Sequence, residues 1–153
     1  MSDDRATTDD ERFMRRAIEL AREGAAAGNA PFGALLARDG EELAAAHNTG
    51  AADVDLSAHP ELGLARWAWR ELDAEERAGT TMYASTMPCM MCSAGVAMAG
   101  LGRVVYGVGG ETAGRYGPDR GVPTTDHLAA ETDTVVDGPV LPEEAEAVHR
   151  DCW

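Results

Sequence analysis

Apolar residues recur at helical spacing early in the chain, at Phe13, Ile18, Leu20 and Ala21, and predict one amphipathic helix. Thr8 and Glu11 stand ahead of it at capping-box spacing, Gly24 or Gly28 supplies its stop, and residues 1–8 are expected to be disordered. The period then changes. Residues 31–37 read as a strand, Asp39-Gly40 as a tight hairpin turn and 41–47 as the antiparallel partner. A polar loop over 48–57 delivers the chain to His59. Pro60 suits the first helical position, where its missing N–H is not needed, and it disfavours helical backbone at the residue before it. His59 is therefore the expected N-cap of a helix running to about residue 72. Residues 80–85 read as the next strand, Pro88 opens a third helix, and 103–107 form a strand ending in Gly107. The Gly- and Pro-rich stretch 109–125 is a long loop. Residues 132–136 and 142–150 are the last strand and the last helix.

Helices that start directly after strands of one sheet make an α/β sandwich, with its site outside the strand ends. At 153 residues and 44% hydrophobic content, the chain is one domain able to bury a core. No apolar run has the length of a membrane span, and the polar start Met1-Ser2-Asp3-Asp4-Arg5 is not a secretory signal. Three cysteines are too few for a disulfide scaffold and fit a reduced cytoplasm. The net charge is −14, and all 13 basic residues are arginine. That balance disfavours a nucleic-acid partner, because phosphate finds little to bind. It also fits a salt-adapted surface.

The chemistry concentrates in His59-Pro60-Glu61 and Pro88-Cys89-Met90-Met91-Cys92, which together spell H-x-E…P-C-x-x-C. One imidazole and two thiolates fill three tetrahedral positions on Zn2+ and leave the fourth to water. The metal makes that water acidic near neutral pH. Glu61 falls in the first turn of its helix, beside the ligands but free to move protons. Cys89 and Cys92 share one side of their helix, whose N-terminus favours thiolates. C-x-x-C alone also fits a redox pair, or half of a closed structural zinc site. A closed site needs a fourth ligand, and His47, His127, His149 and Cys152 are each isolated.

With Ala30-Pro31-Phe32-Gly33-Ala34, Ala46-His47-Asn48 and Gly102-Arg103-Val104-Val105-Tyr106-Gly107, these motifs resemble the zinc deaminases of the cytidine deaminase-like superfamily. The likeness runs from about Phe13 to about Tyr106 and is greatest to the small guanine, cytosine and tRNA adenosine deaminases. It departs at Pro60 and at Met87, where relatives carry alanine and glutamate. The resemblance implies a three-layer α/β/α sandwich with a mixed central sheet of about five strands. It implies hydrolytic release of ammonia from a free base or nucleoside, guanine before cytosine. A tRNA adenosine deaminase and a non-catalytic zinc-stabilised binding module are the alternatives. His59, Cys89 and Cys92 would hold zinc and Glu61 would be catalytic. Asn48, Phe32, Ala58, Met87 and Trp153 are the expected substrate contacts. Asp119 would orient an exocyclic amine or stand as a solvated loop acid. The tail His149–Trp153 is either a docked helix end or a lid. Met90 and Met91 read as filler rather than ligands. Trp67 and Trp69 point to different faces, one towards the core and one towards a homodimer interface.

Overall fold

The computed structural model describes residues 2–118 and 131–153, with side chains from residue 9 onward. Asp39 (φ 53°) and Gly40 (φ 79°) form the hairpin turn whose twist matches the flanking strands. The turn joins β1 (Gly33–Arg38) to β2 (Glu41–His47), antiparallel with Arg38 opposite Glu41. β3 (Thr81–Thr86) pairs antiparallel with the other edge of β1. β4 (Arg103–Val108) and β5 (Val135–Asp137) then add in parallel. The mixed sheet has five strands in the order β2-β1-β3-β4-β5.

Strand alternation divides the core in two. On one face, Leu35, Ala37, Tyr83 and Val105 meet Phe13, Met14, Ala17 and Ala21 of α1 (Ser2–Ala26), joined by Ala145 and Val148 of the C-terminal helix (Pro142–Cys152). On the other, Leu36, Met82 and Val104 meet Leu64 and Ala68 of α3 (Pro60–Glu71) and Val96 and Ala99 of α5 (Met90–Ala99). The result is the expected three-layer sandwich. Gly33 is where α1 comes closest to the sheet. A Cβ there would lie 2.5 Å from the Ala21 backbone nitrogen and closer still to the Ala17 carbonyl, so only glycine permits this approach.

The structure changes several expectations. α1 begins at Ser2, ahead of the capping-box pair Thr8 and Glu11. Once a helix is nucleated, each added residue gains a backbone bond at little further cost. β1 starts one residue after Phe32, and β5 is shorter than the predicted strand. The loop after β2 contains the short helix α2 (Gly50–Asp53). A further helix, α4 (Ala74–Ala78), was absent from the sequence reading although its start signal is legible. Asp73 and Glu76 form a reciprocal capping box. The stretch after β4 includes α6 (Gly110–Ala113). Asp119 and His127 lie outside the described residues.

One ionic knot ties both ends of the fold to the middle strands. Arg103 on β4 holds Asp10 of α1 with two hydrogen bonds of 2.9 Å, and its Nε donates to Asp137 at 2.7 Å. The Tyr83 hydroxyl donates to Asp10 at 2.7 Å. Burial alone would raise the Asp10 carboxyl, but the hydrogen bonds from Arg103 and Tyr83 and the guanidinium charge outweigh it and hold the group below its usual value. A carboxyl depressed by folding stabilises the protein above its unfolded pKa of about 3.9, and that contribution is lost as pH falls through the folded value. Asp10→Asn should therefore cost about 1–3 kcal/mol at pH 7. Urea unfolding at stepped pH should show the gap to the parent narrowing below about pH 4. A gap of constant size from neutral pH to pH 3 would refute this role.

Candidate metal centre and cavity

Strand direction assembles the site. β2 and β3 both run antiparallel to β1, so their carboxyl ends share one edge of the sheet with the start of β1. Phe32, Asn48 and Thr86 therefore meet at that edge, where the helices after β2 and β3 also begin. His59 is the N-cap of α3, in extended backbone (φ −84°, ψ 140°) with Pro60 following, as expected. It makes no side-chain capping bond. Its Nδ1 is turned instead towards the sulfurs of Cys89 and Cys92, at 3.6 and 3.5 Å. Cys89 is the N-cap of α5, one step earlier than the first helical turn, and Cys92 lies inside that turn.

The geometry suits zinc. Tetrahedral coordination at ordinary Zn–N and Zn–S lengths separates a nitrogen from a sulfur by about 3.6 Å. The ligand atoms of His59, Cys89 and Cys92 all lie within 4.8 Å of one another. They are the one such group among the described residues, and among those residues no fourth ligand joins it. That arrangement is the open kind that accepts a water or substrate.

The electrostatics match. Cys89 and Cys92 share a hydrogen bond. It is the main force holding the Cys89 thiol down, to about 4, against partial burial, with His59 assisting. The same bond, followed by burial, pushes Cys92 up. The pair thus presents one ready thiolate, and a bound cation would draw off the second proton. Glu61 is buried, and burial raises its carboxyl to about 7, opposed by His59 and reinforced by Cys89.

A cavity of about 570 Å3 opens against these groups. His59, Glu61 and Cys89 form one wall, and Phe32, Asn48, Met87 and Trp153 line the rest. Asn48 is buried, and its Oδ1 accepts from the Gly50 backbone N–H at 2.8 Å. The turn-capping reading of this residue therefore holds. It also orients the amide, leaving the NH2 as the end able to donate to a ligand. Ala58 is not among the residues lining the cavity; its carbonyl accepts from the Thr49 N–H at 3.2 Å. Met91 lines the cavity, while Met90 is partly exposed. The tail fits the docked-end reading. His149 and Val148 are buried in a docked helix end, and Trp153 faces the cavity.

Sequence reasoning missed Thr86, Leu56 and Pro118, which also line the cavity. Thr86 had a usable signal, since it ends the strand directly before the Met87-Pro88-Cys89 turn. Leu56 and Pro118 sit in loops and had none.

Residues 7–108 match the family described as the cytidine and deoxycytidylate deaminase zinc-binding region. The chain is 34% identical over 100 residues to a tRNA-specific adenosine deaminase of Bacillus subtilis, covering 65% of this chain but only 62% of that protein. It is 39% identical over 83 residues to the guanine deaminase of the same organism, covering 54% of this chain and 53% of that protein. A probable cytosine deaminase of Schizosaccharomyces pombe aligns over 100% of this chain and 98% of its own length at 26% identity. Among solved structures, a guanine deaminase from Nitrosomonas europaea superposes with a TM-score of 0.76 at 25% identity, covering 92% of this chain and 82% of that one. The matched zinc-binding region contains the whole His59, Cys89 and Cys92 cluster and the sheet edge that assembles it, and the chain belongs to the cytidine and deoxycytidylate deaminase family.

Proposed function

We propose that this chain is a zinc-dependent hydrolytic deaminase of a free nucleobase or nucleoside, with guanine as the first candidate. The observation that carries this reading is Glu61, a buried carboxyl beside three metal-ligating side chains on the wall of the cavity. A purely structural zinc site has no use for such a group.

His59, Cys89 and Cys92 would hold the ion. When bound, zinc supplies Lewis acidity that makes a coordinated water acidic near neutral pH. In the net reaction water adds at the amine-bearing ring carbon, the C–N bond breaks, ammonia leaves and a carbonyl remains. Glu61 accepts a proton from the water and returns protons to the ring nitrogen and the departing amine. The Asn48 NH2 donates to an acceptor on the heterocycle edge, and Phe32 and Trp153 give the ring apolar surfaces.

A small substrate is favoured over structured RNA. The charge of −14 and the absence of lysine give a phosphate backbone little to bind. The similarity to the two guanine deaminases supports guanine, and the full-length alignment with the probable cytosine deaminase supports cytosine as the second reading. An ammonia-release assay over guanine, cytosine, their nucleosides and a tRNA anticodon stem-loop, at low and high salt, tests the proposal. Turnover of the stem-loop with none of the small substrates consumed would overturn it. Three free cysteines suit a reducing cytoplasm. Among the described residues, no helix is long and apolar enough to cross a membrane.

The metal assignment predicts about one zinc per chain and loss of most of it in Cys89→Ala, together with a lowered melting temperature. Elemental analysis showing unchanged zinc in that variant would remove these ligands from consideration. The assignment of Glu61 predicts that Glu61→Gln keeps zinc and fold while turnover falls about 10²–10⁴-fold. Near-parental rates on the best substrate would exclude the role.

We further infer that a second copy of this chain covers the face between α3 and α5. A groove of about 460 Å3 there is lined by Leu62, Ala65, Gly95 and Met98 among others, beside Trp69. Met98 is 81% exposed and Trp69 61%, whereas Trp67 packs on the core. Light scattering should show a dimer, and Met98→Glu should weaken it by about tenfold or more. A parent protein that is monomeric at micromolar concentration contradicts this.

A further inference from the structure

We propose that His149 is a positioning residue, which clamps the Trp153 indole as one wall of the cavity through a hydrogen-bonded chain running from Thr86. The proposal rests on the deaminase reading only in taking a planar base as the occupant of that cavity.

The chain of bonds is short and directional. His149 is 1% exposed. Trp153 Nε1 lies 2.9 Å from His149 Nδ1, and an indole N–H can only donate. Nδ1 must therefore accept, which places the proton of a neutral ring on Nε2. Nε2 then donates to Thr86 Oγ1 at 2.7 Å. Thr86 ends β3 directly before the turn that carries Cys89. The indole is thus referenced to the strand that positions the metal-binding cysteines, although it lies on a different element.

Other contacts confine the ring from further sides. Phe32 meets Trp153 edge-to-face at 6.1 Å and His149 at 5.5 Å. Tyr116 stacks on His149 at 6.3 Å and donates its hydroxyl to Glu146 at 2.9 Å. Gly117 has φ +72°, and a Cβ on it would sit 2.5–2.8 Å from the Trp153 ring. No side chain larger than hydrogen fits between that strap and the indole. Trp153 is still 42% exposed and lines the cavity, so its open surface faces the occupant. A buried imidazole that fixes a half-exposed tryptophan orients a surface for the ring that binds there, without touching that ring itself.

The test separates positioning from catalysis and from general stability. His149→Gln keeps a donor able to reach Thr86 but offers no acceptor near the indole, whereas His149→Asn places a carbonyl near the former Nδ1. Metal-loaded protein is assayed with guanine and cytosine. In His149→Gln, KM should rise about 3- to 10-fold, the loss of one orienting hydrogen bond, with kcat and zinc content close to parental. His149→Asn should recover most of that loss. The double variant His149→Gln/Trp153→Ala should be no worse than Trp153→Ala alone, because the two changes act through one contact.

Near-UV circular dichroism gives a readout that needs no substrate. The Trp153 signal, defined as parent minus Trp153→Phe, should collapse in His149→Gln. This arm stands even if no base is turned over, so failure of the deaminase reading and failure of the clamp are distinguishable. If His149→Gln does not fold, Gly117→Ala carries the test. It leaves His149 and Thr86 in place, displaces the ring from the other side, and should raise KM while kcat holds. An unchanged Trp153 signal, additive effects in the double variant, or a fall in kcat at constant KM would each overturn the proposal.

Discussion

Everything in this molecule depends on bringing one imidazole nitrogen within about 3.6 Å of two sulfurs that belong to another helix. Neither helix can do this alone. The separation is set by the sheet, because β2 and β3 run in one direction with β1 reversed between them. Both following helices therefore begin at the same edge. Gly33 makes this compact by letting α1 seat directly on β1. Pro60 sharpens it by breaking the chain into extended backbone at His59. The donor set follows from these backbone facts, and the side chains need only ordinary rotamers to complete it.

The same convergence governs the charges. Taking Glu61 out of water raises its carboxyl, while the imidazole beside it acts in the opposite direction. One thiol of the pair is held down by the other. These groups are costly to bury singly and tolerable together, which is the condition under which buried ionisable groups persist. The clamp formed by Thr86, His149 and Trp153 extends the network away from the metal with neutral groups alone. It fixes an aromatic surface without adding another charge to an already crowded edge. A contribution to stability that acid removes lies elsewhere, at Asp10 and Arg103, on the far side of the sheet's residue alternation from α3 and α5.

Local signals were legible in the sequence and long-range ones were not. The Asp39-Gly40 turn, the His59 cap with Pro60, and the helix after Pro88 are each written in neighbouring residues, and the structure keeps all of them. The metal-ligating residues were legible because their chemistry needs rare residue types at fixed spacing. Ser2–Ala26 was misread at its start, since propagation of a helix leaves no residue signature. Asp73 and Glu76 carried a start signal that was overlooked because α4 is too short to show a period. Thr86, His149 and Trp153 meet only after the sheet and the C-terminal helix have packed. Their roles are tertiary, and no spacing rule links positions so far apart.

The strand order also sets a timetable. During synthesis the β1–β2 hairpin and His59 are available first, while the cysteines emerge later and reach them only when β3 pairs with β1. That pairing joins Ala34 to Ala84, a long-range closure that is slow compared with hairpin formation. The helix carrying His149 (Pro142–Cys152) follows both in the chain. The cavity wall at Trp153 is thus fixed by a contact, Thr86 with His149, that no local segment of the chain can form on its own.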